Sequence, residues 1–178
     1  NIKNNGKFIG INKIWNKLYP HASGDILGYI GDDMIFKTPG WDVKILEEFE
    51  GDKLPADKIK LVHCYDGFRN KDEMCVNAFV HKKYIEVIGY LCREEFLINW
   101  SDQWLYQSFK AFDRIKWLEG REKDNTADRM LSDNNDRISD QMWFDLAQER
   151  INDVNKLSAY IQQTPNWDVV DTDLNVKL

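Results

Sequence analysis

Two adjacent carboxylates, Asp32 and Asp33, follow the apolar run Ile26-Leu27-Gly28-Tyr29-Ile30 and a glycine, Gly31. Neighbouring carboxylates repel one another unless a cation or hydrogen-bond donors neutralise them. Mg²⁺ or Mn²⁺ does so, using one or two protein carboxylates together with substrate phosphates. The chemistry open to the pair is therefore that of a metal and diphosphate site, with Gly31 allowing close approach of the backbone to a ligand. A bare Asp-Asp also suits a solvated turn. The uncharged run before it and the loop Thr38-Pro39-Gly40-Trp41 after it weigh on the side of a site.

The elements that must hold this pair can be read from periodicity. Ile26–Ile30 reads as a short strand covered on both faces, as in an α/β sheet. That puts Asp32 and Asp33 outside the carboxyl edge, where open α/β sheets bind ligands. Before it, Gly10–Tyr19 has helical spacing, and Pro20 stops it. After it come a helix over Trp41–Phe49, a strand over Lys58–Cys64 and a polar loop from Tyr65 to Glu73. A strand over Met74–Val80 and a helix from His81 to Ile88 follow, closed by Gly89 as a C-cap. Glu95–Trp100 reads as irregular. Ser101 is the expected cap of a helix from Asp102 to about Phe112, with Asp102 a first-turn acid favoured by the helix dipole. Ile115–Leu118 is a short strand. Residues 121–138 read as a mobile polar loop, and 139–163 as one long C-terminal helix with Pro165 beyond it.

Composition bounds the rest. At 178 residues, with 43% hydrophobic and 30% charged residues, the chain has the make-up of one ordinary globular domain. Its net charge of −6 gives no global support for binding a nucleic-acid backbone. No apolar run approaches a membrane span. Cys64, Cys75 and Cys92 fit neither zinc spacing nor a disulfide framework, so reduced thiols in a cytoplasmic protein are expected. His63, on an apolar strand, reads as a core residue.

Four segments in order then carry a resemblance: Ala22-Ser23-Gly24-Asp25; Gly31-Asp32-Asp33 with Pro39-Gly40-Trp41-Asp42; the strand and helix from Val76 to Leu91; and Trp100-Ser101-Asp102-Gln103-Trp104-Leu105. Their order and spacing, over roughly residues 10–118, resemble the short bacterial and phage family 2 glycosyltransferases of the nucleotide-sugar GT-A fold. The resemblance implies a Rossmann-like α/β domain, a mixed sheet flanked by helices, that inverts the anomeric centre in a single displacement. By position, Asp32 would face the ribose and diphosphate of the donor, and Asp33 would bind Mn²⁺ or Mg²⁺. Asp102 would be the catalytic base. Trp100, Trp104 and Arg69 are candidate contacts to acceptor or donor. The implied donor is a nucleoside-diphosphate sugar, a UDP-sugar first among them, and the acceptor a glycan, lipid or protein hydroxyl.

Two departures from the family pattern shape the expectation. The family's first βαβ unit, which holds the base and ribose, has no counterpart here, so the chain is read as an N-terminally incomplete piece or one whose pocket another segment completes. Many relatives also carry a metal-ligating His after the last core strand, where this chain reads Leu118-Glu119-Gly120-Arg121-Glu122. Glu119 or Glu122 would have to substitute. Both departures keep a second reading open: a non-catalytic binding or assembly module of a larger bacterial or phage complex.

Overall fold

The computed structural model describes residues 9–31, 34–64, 74, 75, 77–97, 99–118 and 136–170. The sheet-forming segments are β1 (Ile26–Tyr29), β2 (Leu61–Cys64), β3 (Ala78–His81) and β4 (Ile115–Leu118). They form a mixed four-stranded sheet in the order β1-β3-β2-β4. β3 is antiparallel to both β1 and β2, and β2 is parallel to β4. Three strands thus run one way and β3 runs against them. The helices are α1 (Ile11–Leu18), α2 (Trp41–Glu47), α3 (Lys83–Ile88), α4 (Ser101–Lys110), α5 (Asp136–Asp145), α6 (Ala147–Ile161) and α7 (Trp167–Val170).

Strand alternation divides the core into two layers. Leu61, Ala78 and Val80 face a large cluster with Tyr84, Ile85, Leu105, Phe109, Val154 and Leu157, contributed by α3, α4 and α6. Val62 and Phe79 face the other way, onto Ile45 and Phe49 at and just beyond α2 and the ring of Trp41. His63 is fully buried in the first layer, edge-on to Tyr106 and Trp117, so it is a core residue as its surroundings in sequence suggested. The structure is therefore an α/β sheet with helices on both faces.

Several boundaries differ from the sequence reading. β1 lies at the rim of the described sheet, and all four of its residues are only half-buried. Both of its faces are nonetheless covered, as the apolar run suggested: Leu27 and Tyr29 pack on the α3, α4 and α6 layer, and Ile26 and the following Ile30 on the α2 layer. β2 starts three residues later than alternation suggested, because Lys58 adopts a left-handed backbone (φ 62°) and the ladder begins only beyond it. β3 likewise starts after Asn77 (φ 60°) and takes in His81, which was expected to open a helix. His81 Nδ1 instead accepts the Lys83 N–H at 3.0 Å, beside the start of α3. Gly89 does end α3, at φ 101°, donating to Ile85 O.

The expected single helix over 139–163 is two helices parted at Leu146. Leu146 leaves the helical region there (φ −94°, ψ 13°), and the Arg150 guanidinium donates across the break to Trp143 O. Of the expected loop 121–138, residues 136–138 belong to α5, and the rest lies outside the described residues.

One buried carboxylate joins the helical layer. Asp153 on α6 is fully buried and accepts hydrogen bonds from Tyr90 Oη, from Trp104 Nε1 at 3.2 Å and from Lys156 Nζ at 3.1 Å. Arg93 Nη1 donates to the same Tyr90 hydroxyl at 3.0 Å. Burial and the neighbouring Asp153 raise the Tyr90 phenol above its ordinary range, so it remains a donor.

Two stability predictions follow. Asp153→Ala would strand the buried Trp104 and Tyr90 donors, and urea unfolding should show a loss of about 3 kcal/mol. Lys156→Ala removes only a half-exposed partner and should cost less than about 1 kcal/mol. Gly28→Ala is the second: its Cβ would stand 2.8 Å from Phe79 Cε1 and 2.9 Å from Ile30 Cδ1. Because Phe79 is already packed against Phe36 and Trp41, overpacking should lower stability by about 1–3 kcal/mol in the same assay.

Candidate functional site

The strand directions gather one edge of the sheet. β1, β2 and β4 end there, and β3 begins there. Gly31, exposed, lies just beyond the end of β1. Asp32 and Asp33 lie outside the described residues, as do Tyr65–Glu73 with Arg69, and Glu119 and Glu122. The residues on either side of the acid pair are described. Met34 donates its N–H to Gly31 O at 3.4 Å, which draws the two flanks together.

α4 reaches the same edge with its N-terminus. It starts one residue earlier than expected, at Ser101, and the capping position is held by Trp100 in a left-handed backbone (φ 74°). Ser101 is therefore not the side-chain cap; it is the first helical residue and buried. Trp100 O accepts Trp104 N–H at 2.8 Å, and the Trp100 ring stacks on Trp143 with centroids 4.7 Å apart. The turn into the helix is thus pinned by an aromatic from α5.

Asp102 sits half-buried in the first turn. Its Oδ1 accepts the Gln103 N–H at 2.9 Å, and its main-chain carbonyl accepts the Cys75 thiol at 3.0 Å. Its charge also reaches Tyr29, the last residue of β1. Burial pushes the Tyr29 phenol well up, and Cys92, Asp102 and Cys75 push it further. Burial likewise lifts the Cys75 thiol, with Asp102 adding to it. The Tyr29 phenol and the Cys75 thiol therefore stay protonated near neutral pH, and Cys75 is not a nucleophile. So the segment before β3 connects the two halves of the site. Cys75 holds Asp102, while Asn77 Nδ2 lies 3.5 Å from the sulfur of Met34.

Of the candidate residues, the structure brings Asp102 to the edge beyond which Gly31 lies. It does not bring Trp104. That ring is 2% exposed, packed edge-on to Phe96 and Trp143 and bonded to Asp153, with Arg93 and Arg150 over it at 5.2 and 5.5 Å. It is a core residue, not a sugar platform. Trp100 is half-buried, with one face committed to Trp143. Sequence reasoning missed Tyr29 and Asn77. The signal for Asn77 was available: a lone carboxamide in the apolar run Cys75-Val76-Asn77-Ala78-Phe79-Val80.

Among the described residues no group of three or more His, Cys, Asp or Glu side chains could hold a metal ion. Cys64, Cys75 and Cys92 are free thiols, and burial pushes Cys64 up to about 11. No helix of the described residues is long and apolar enough to cross a membrane. The site on the page is thus a half-buried carboxylate at a helix start, facing the end of the strand that leads into two further acids. Comparison with protein-family models, with curated proteins and with solved structures finds no match for this chain.

Proposed function

We propose that this chain is a glycosyltransferase domain of GT-A-like fold, moving a sugar from a nucleoside diphosphate to an acceptor hydroxyl. One observation carries the reading: Asp102, at the first turn of α4, is tied through its main-chain carbonyl to Cys75 at 3.0 Å, three residues before the Ala78 that pairs with Tyr29 at the end of β1. Transfer with inversion needs two groups on one edge, an anchor for a diphosphate and a base for the incoming hydroxyl. The sheet supports this by directing the ends of three strands to the edge where α4 begins.

In this reading Asp32 faces the ribose and diphosphate, and Asp33 with the diphosphate oxygens holds Mn²⁺ or Mg²⁺. One or two carboxylates completed by phosphates is a donor set that hard cations accept. When bound, the metal supplies Lewis-acid stabilisation of the departing nucleoside diphosphate. Asp102 takes the proton of the acceptor hydroxyl as that oxygen attacks the anomeric carbon and the bond to the diphosphate breaks. A positioned base typically contributes about 10²–10⁴-fold.

The test combines calorimetry with transfer assays. Uridine diphosphate with Mn²⁺ should bind the wild-type chain. Asp33→Ala should remove the Mn²⁺-dependent part of that heat. Asp102→Asn should leave binding intact and lower transfer or donor hydrolysis at least about 100-fold. No heat with the wild type would overturn the reading and favour a non-catalytic module.

A further inference from the structure

The residue beside this edge whose state is least accounted for is Asn77. Its backbone is left-handed (φ 60°), a conformation that asparagine tolerates better than most residues. Backbone tolerance explains why Asn stands there; it does not explain the side chain. Asn77 is 2% exposed, and its Oδ1 is buried with no hydrogen-bond partner. Its Nδ2 has only the thioether of Met34, at 3.5 Å. A thioether is a weak acceptor. A buried carboxamide is thus left nearly unsatisfied at both ends, which destabilises the chain until a partner arrives. Buried polar groups are so regularly paired that an orphan of this kind asks for a missing partner.

The position says where that partner comes from. Asn77 immediately precedes Ala78, which pairs with Tyr29 at the end of β1. Two residues earlier, Cys75 touches Asp102. What covers the carboxamide from the loop side is Met34, an unbranched side chain with three rotatable bonds. The group that would replace Met34 must both donate to Oδ1 and accept from Nδ2. A hydroxyl does both, whereas a phosphate oxygen only accepts.

We infer that Asn77 is a specificity-determining residue: its carboxamide exchanges the Met34 sulfur for a hydroxyl of the transferred sugar when the donor binds. This rests on the transferase reading, and its test separates the two. Asn77→Gly keeps the left-handed backbone without strain and removes only the side chain. Calorimetry with Mn²⁺ would compare uridine diphosphate, UDP-glucose and UDP-N-acetylglucosamine on both proteins.

Wild type should bind at least one of the two UDP-sugars more tightly than uridine diphosphate. Asn77→Gly should lose about tenfold for that UDP-sugar and keep its affinity for uridine diphosphate. In parallel, the Asn77 side-chain ¹⁵NH₂ resonances of the wild type should shift with that UDP-sugar and stay in place with uridine diphosphate. This second readout stands even where the variant does not fold. Unmoved resonances, equal losses for both ligands, or no loss at all would overturn the role of Asn77 and leave the transferase reading standing. Failure of the wild type to bind any of the three would overturn both.

Discussion

A single strand running against its neighbours sets the geometry of this molecule. β3 is fully buried and pairs antiparallel with β1 on one side and β2 on the other. Since β2 and β4 are parallel, that pairing forces β1, β2 and β4 to end at one edge. Four-residue strands have little stability of their own, and sheets of this size rely on packing against helices. Here the alternation of Ala78, Phe79 and Val80 supplies it, with Phe79 toward the α2 layer and the other two toward α3, α4 and α6. Every chain segment near the candidate site enters or leaves through the register that β3 imposes.

The position of Asp102 depends on a second constraint, in the helical layer. α4 is fixed along its length by the sheet-facing residues Leu105 and Phe109, and near its start by Trp104. Trp104 donates to Asp153 of α6, and Asp153 also accepts from Tyr90, next to the end of α3. A carboxylate buried with several donors ties together elements that apolar contact alone would let slide. Arg150 works in the same direction: it takes the carbonyl of Trp143 and lies 3.8 Å over that ring, which in turn stacks on Trp100 at the head of α4. The aromatic residues that could have met a sugar are the ones that hold the helix carrying the candidate base.

Much of this was legible in the sequence, for reasons that differ by residue. The strand Ile115–Leu118 and the closure of α3 at Gly89 were visible because local chemistry decides them. The starts of β2 and β3 were not, since nothing local marks Lys58 as left-handed, and the lone carboxamide of Asn77 marks a polar residue without stating its left-handed backbone. The break at Leu146 was hidden because helical spacing of apolar residues continues across it. Trp104 could be read from the sequence either as core or as a contact to a sugar, and the bond of its N–H to Asp153, distant in sequence, places it in the core. The half-buried state of β1 follows from strand order, which no local pattern states.

The two constraints together assign the polar groups at the edge different tasks. Asp102 is half-buried at the first turn of α4, and one of its carboxylate oxygens accepts the Gln103 N–H. Cys75 and Tyr29, lifted by burial, stay neutral beside it and add no competing charge. Asn77, by contrast, lies under Met34 with its bonding capacity unused. Asn12 and Gln107 also leave a buried side-chain oxygen unpaired, so the unpaired state alone does not single out Asn77. What separates Asn77 is its place, directly before the β3 residue that pairs with the end of β1 and two residues from the thiol bonded to Asp102.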